Sequence, residues 1–210
     1  METMEYQKWV GKKEKQRDRI NYTPIRALAA TLDYKNFDIR ERKKLPELWY
    51  WLYFLPIVPM SEVGSDGHPQ RGGFLPPVPL ERRMWAGGRF EFTGELIMGE
   101  EMSKTSEIIK IEAKEGRAGQ LVFVTVRHTI ASASGPAVVE EQDIVYTGMP
   151  QSFQPPKPKP VPENLAWQEN HPVDSVLLFR FSALTFNGHK IHYDRPYATE
   201  VEKYPGLVVH

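Results

Sequence analysis

The chain has 210 residues, with 27 Lys plus Arg balanced by 27 Asp plus Glu and no cysteine. The length suits one large domain or two small ones. Neutral charge disfavours nonspecific nucleic-acid binding, which draws on an excess of basic charge, although a locally basic groove stays open. The missing cysteines exclude disulfides, thiolate metal sites and a cysteine nucleophile, and they fit a cytoplasmic protein.

The N-terminal stretch "METMEYQKWVGKKEKQRDR" is too polar for a signal peptide. The segment "NYTPIRALAATLDY" reads as a short helix, with Thr23 as cap and Pro24 in the first helical position. Ile25, Leu28, Ala29 and Leu32 then fall on one face. "LPELWYWLYFLP" reads as a second helix from Pro46 to Pro56, its aromatics mostly core. With its continuation it is apolar over only about a dozen residues, against the roughly 20 that a membrane span needs. Residues 61–81 are dense in Gly and Pro and read as a loop. That loop either packs over a sheet or forms a binding lip, in which Arg82, Arg83 and Trp85 would hold an anionic substrate. His68 stands beside Pro69 in what reads as an exposed turn.

The period then changes from helix to strand. "GGRFEFTGELIMGE" reads as strand, turn, strand, and "KTSEIIKIEAKEG", "GQLVFVTVRHTIAS" and "GPAVVEEQDIVYT" as further strands. "EGRAG" is a turn between two of them. Met98 and Met102 read as packing residues. Helices followed by a run of antiparallel strands make an α+β protein. A proline-rich linker over 151–168 separates a first domain, 1–150, from a second unit, 169–210. "SVLLFRFSALTF" reads as one new strand, which cannot bury its faces alone and must pair with the first sheet or with another chain.

A polar cluster follows in "NGHKIHYD": Asn187, His189, His192 and Asp194. Three readings stand side by side. Histidines and an acid suit a metal, but no third ligand is obvious nearby. Histidine titrates near neutrality and suits acid–base work, with Asn187 polarising an oxygen or placing a water. A solvated Asn-Gly bend accounts for the same residues with no function at all. Ser182 and Thr185 lie close by, but there is no G-x-S-x-G elbow for a hydrolase.

Several stretches together resemble the mesaconyl-CoA hydratase and hydroxyacyl-thioester dehydratase type 2 family, a branch of the MaoC-like hot-dog proteins. They are "ATLDY", "DGHPQRGGFLPPVPLERRMWAGG", "KEGRAGQLVFVTVRHTI", "EEQDIVY" and "FRFSALTFNGHKIHYDRPYA…YPGLVVH", and the likeness runs from Trp9 to His210. The resemblance implies a double hot-dog fold, each unit wrapping an antiparallel sheet around a helix. It implies addition or removal of water across the α,β bond of an acyl thioester carried by CoA or by acyl carrier protein. The thioester is substrate, and no cofactor or metal is implied. The wider group carries a motif of Asp, any residue, Asn, Pro, any residue, His. With His192 on the motif histidine, Asn187 takes the Asp position, His189 the Asn position and Lys190 the Pro position. The histidine is kept and the carboxylate is an amide.

The resemblance thus implies His192 as general base on water and Asn187 as the residue that orients it. His189, Asp194, Arg180, Arg82, Arg83 and Trp85 become substrate-binding candidates. Backbone amides of Gly206 and Val208, at the start of a following helix, would hold the thioester carbonyl. The first unit shows no His–acid pair of this kind and is expected only to shape the substrate site. In the family the chain runs on past "GLVVH", so the second unit is expected to be incomplete within these 210 residues. It would then be inactive alone unless a homodimer partner or another subunit completes it, and it would expose an apolar face.

Overall fold

In a computed structural model, residues 4–35, 37, 43–116, 119–155, 158 and 160–210 are described. Its centre is a five-stranded antiparallel sheet in the order β1-β3-β4-β5-β2. The strands are β1 (Lys13–Arg19), β2 (Arg82–Phe92), β3 (Glu101–Gly116), β4 (Gly119–Ser132) and β5 (Gly135–Thr147), and a one-turn helix, α1 (Met4–Gln7), precedes them. The last three are the β-branched segments that alternation identified. Residues directly opposite one another share a face, so Ile111, Val124 and Ile144 form one inward row across β3, β4 and β5. The turn expected at "EGRAG" includes residues 117 and 118, outside the described residues.

One end of the inward face is covered by helix α2 (Tyr22–Thr31), whose Ile25, Leu28 and Ala29 are buried as their spacing predicts. The helix cap is Asn21, not Thr23, which lies inside the first turn. The other end is covered by the Gly/Pro-rich loop, through Phe74, Leu75, Val78 and Leu80. Arg71 fixes that loop by donating to the carbonyls of Val78, Leu80 and Glu81. The loop therefore packs over the sheet.

Four expectations fail for local reasons. "LPELWYWLYFLP" forms only a 3-10 turn, Trp49–Leu52, because Leu48 (φ 68°) and Phe54 (φ 54°) sit in the left-handed region on either side. Tyr50, Tyr53 and Phe54 are still core while Trp51 is exposed, and Tyr50 donates to the buried carboxylate of Glu140 at 2.8 Å. The second strand expected in "GELIMGE" is instead the connection into β3. Strand β1 went unseen because it carries charge on both faces, as an edge strand can.

The largest departure is "SVLLFRFSALTF", which is helix α3 (Ser175–Thr185) rather than a strand. Asp174 caps it by accepting from Leu177 N at 2.8 Å. Leu178 is buried, Phe181 and Leu184 join the core around α2, and Val176 and Phe179 stay exposed. The segment thus packs against α2 and pairs with no sheet. Between β5 and α3 the described residues form neither helix nor strand.

Candidate active site

Helix α3 ends with Phe186 in the left-handed region (φ 52°), and Asn187 N closes the turn on Ser182 O. This leads into residues 187–194, which dock on the loop around Asp66 through Lys190 N. Asn187 Oδ1 accepts from His189 N at 3.0 Å, so the amide oxygen shapes the bend. Asp194 Oδ1 accepts from Tyr197 N at 3.0 Å and starts the π-helical turn Tyr197–Val201. Both side chains thereby help to build the loop that carries the histidines.

His189 and His192 are 5 % and 7 % exposed. His192 Nδ1 donates to the carbonyl of Val208 at 2.8 Å, while Val208 N donates to Ile191 O. The carbonyl fixes the tautomer and leaves Nε2 with a lone pair. Burial holds the pKa of His192 below the ordinary histidine value, so the ring is neutral near pH 7. His210 stacks on it with ring centroids 3.8 Å apart, and Ser182 Oγ meets His210 Nε2 at 2.8 Å.

His189 Nε2 meets Glu202 Oε1 at 3.1 Å, and Arg82 Nε donates to the other oxygen of Glu202 at 2.9 Å. Arg82 also donates to Tyr204 Oη at 2.8 Å. Burial raises the pKa of Glu202, but His189 and Arg82 outweigh it and hold the group below the usual carboxylate range. Arg82 is therefore tied up in joining β2 to the loop. Arg83 donates to Pro69 O at 3.2 Å. Trp85 is 59 % exposed on the sheet edge, and Arg180 is exposed on α3. No helix begins near Gly206; residues 205–210 form neither helix nor strand, and Val208 N is already taken. Val208 serves the site through its carbonyl instead.

Sequence reasoning missed a His–acid pair in the Gly/Pro-rich loop before β2. His68 Nδ1 lies 3.0 Å from Asp66 Oδ2, and His68 N donates to Asp66 Oδ1 at 3.0 Å. The His68 side chain is only 22 % exposed, and its ring packs on His189 at 4.2 Å between centroids. The exposed turn expected here is thus a half-buried junction, and the local signal was Asp-x-His itself. Gly67 and Gly188 bring the two backbones together, and Lys190 N donates to Asp66 O at 2.9 Å. Among the described residues no three His, Asp or Glu converge where a metal could sit.

The architecture and this histidine cluster can be set beside known proteins. A family model for hydroxyacyl-thioester dehydratase type 2 matches residues 48–210. The chain belongs to this family. With membership goes the activity class, an acyl-thioester hydratase or dehydratase, which is a hydro-lyase. The mesaconyl-C(4)-CoA hydratase of Chloroflexus aurantiacus is 45% identical over 217 residues, spanning 100% of this chain and 75% of that protein. The mitochondrial hydroxyacyl-thioester dehydratase type 2 of Schizosaccharomyces pombe is 27% identical over 224 residues, spanning 92% of this chain and 73% of that one. Among solved structures, a MaoC-like dehydratase matches with a TM-score of 0.63 at 13% identity, over 96% of this chain and 73% of its own. A second, from Phytophthora capsici, gives 0.60 at 13% identity, over 95% and 70%. These likenesses show the MaoC-like hot-dog fold of this hydroxyacyl-thioester dehydratase type 2 family member.

Proposed function

We propose that this family member adds water to, and removes it from, the α,β bond of an acyl-CoA, with a mesaconyl-CoA-like or 3-hydroxyacyl thioester as substrate. His192 is the proton-handling residue in this reading. The supporting observation is its hydrogen bond to Val208 O, which leaves a neutral Nε2 in a buried site. In hydration, Nε2 takes a proton from water as the oxygen bonds to Cβ. The π electrons move toward the thioester carbonyl, and Cα is then protonated. A well-placed acid–base group contributes roughly 10²–10⁴-fold. The reaction so described calls on no resident cofactor.

We favour CoA over a carrier protein as the acyl carrier, because the 45% identical relative is named as a CoA-ester hydratase. We place the protein in the cytoplasm, where a chain without cysteine is at home. Among the described residues no helix is long and apolar enough to cross a membrane. The proposed assembly is a homodimer or a chain completed by another subunit. Exposed Val176, Phe179 and Phe186 along α3 support it, and light scattering on the purified chain tests it.

A second reading, a noncatalytic acyl-CoA-binding subunit, draws on Asn187, which puts an amide where the wider group has a carboxylate. Turnover of mesaconyl-CoA and crotonyl-CoA, followed by loss of the enone absorbance, separates the two. Turnover that His192→Ala abolishes supports the hydratase reading. Tight binding of both esters without turnover selects the binding subunit.

A further inference from the structure

Resting on the hydratase reading, we infer that the Asp66–His68 pair supplies the second proton-transfer group of the site, exchanging the α-proton of the substrate while His192 handles the water. The first argument is what His192 lacks. Asn187 Oδ1 is committed to His189 N, and the Asp194 carboxylate to Tyr197 N. Glu202 is shared between His189 and Arg82. Each of these side chains thus helps to hold the loop, and the Nδ1 of His192 rests on a backbone carbonyl rather than on a carboxylate.

The second argument is what His68 has. Its Nδ1 faces a carboxylate that also takes its backbone N–H, which fixes the ring and leaves Nε2 as the working nitrogen. An imidazolium formed on His68 is neutralised by Asp66 beside it. No such carboxylate stands at His192.

The third argument is placement. The loop bearing the pair is docked on the catalytic segment backbone to backbone. A Cβ on Gly188 would come within 2.5 Å of Gly67 O, and one on Gly67 would overlap Gly188. Asp66 O receives Lys190 N, two residues from His192. His68 and His192 both contact one imidazole, that of His189, at 4.2 and 5.6 Å between centroids. The three rings thus form one cluster, in which His189 touches both His68 and His192.

The step balances as follows. In hydration the water O–H bond breaks, its proton goes to His192 Nε2, and the oxygen pair forms the Cβ–O bond. The π pair forms the enolate. Cα then takes a proton that solvent delivers through His68 Nε2, where Asp66 offsets the transient imidazolium, and the N–H pair stays on nitrogen. The proton on His192 returns to solvent, so both rings end neutral. In dehydration neutral His68 takes the α-proton.

The test uses the full chain and His68→Gln and Asp66→Asn variants, with crotonyl-CoA hydration and α-hydrogen exchange of 3-hydroxybutyryl-CoA in D₂O as readouts. His68→Gln is expected to lower kcat and the exchange rate together by 100-fold or more, with KM within threefold. Asp66→Asn is expected to lower both by tenfold or more. Because a variant can lose its fold, the wild-type chain carries a further readout. The His68 Nε2 nitrogen resonance must shift on addition of butyryl-CoA, which cannot be hydrated. Retention of kcat and exchange within threefold in both folded variants overturns the inference. So does a His68 resonance that butyryl-CoA leaves unmoved. Absence of wild-type turnover contradicts the hydratase reading itself, and the resonance shift still decides whether His68 meets the acyl group.

Discussion

Gly67 and Gly188 face each other so closely that neither position has room for a Cβ. They belong to two loops 121 positions apart in sequence, and their contact joins the Gly/Pro-rich loop before β2 to the histidine-bearing segment. Gly67 also adopts φ +91°, a conformation that side chains rarely take.

Replacing either glycine with alanine should therefore part the two loops. Gly67→Ala combines overlap with left-handed strain, and a loss of about 2 kcal/mol or more is expected. Gly73→Ala is the control, since nothing lies within 4 Å of its Cβ. Urea unfolding midpoints check both: equal midpoints for Gly67→Ala and Gly73→Ala would refute the junction.

A second prediction concerns Glu202, which is 3 % exposed and bridges His189 and Arg82. Glu202→Gln leaves a buried guanidinium without its charge partner. Breaking such a pair costs about 3–5 kcal/mol. Thermal unfolding measures it, and a melting temperature equal to that of the wild type would show that the bridge does not form.

Stability should also fall on acidification. Burial pushes the pKa of His68 and His128 down to about 4 from 6.5. Between those values the unfolded chain binds protons that the folded chain does not. The stabilising effect of keeping these rings neutral is complete above pH 6.5 and is lost as pH falls toward 4. Asp66 and Glu202, held below the usual range, add loss of the same sign at lower pH. Urea midpoints at pH 7 and pH 4.5 should differ clearly, and a flat profile would contradict the buried neutral histidines.

The capped helix α3 makes a local prediction. Asp174→Ala removes its only side-chain cap and should cost about 1 kcal/mol. If the segment were an extended strand, as its apolar run suggests, the substitution would leave stability unchanged.

The contrast among these elements explains what the sequence reveals. Strands β3, β4 and β5 announce themselves because Val, Ile and Thr alternate over a half-buried sheet. In α3 the apolar residues run together, and such a run does not distinguish a strand from a buried helix. Asp174 was the available cue. Within the site, Asn187, His189, His192 and Asp194 are adjacent in sequence and so were legible together. Asp66, His68 and Arg82 reach the same place only through tertiary contacts, across 120 or more positions in the case of Arg82 and Tyr204. No local pattern encodes that meeting.

The most direct test of the account is hydration of mesaconyl-CoA and crotonyl-CoA by the wild-type chain and by His192→Gln, with unfolding midpoints measured alongside. The account predicts turnover by the wild type and a loss of about 100-fold or more in kcat for the variant, with the fold intact. A folded His192→Gln protein that turns over at the wild-type rate would contradict it.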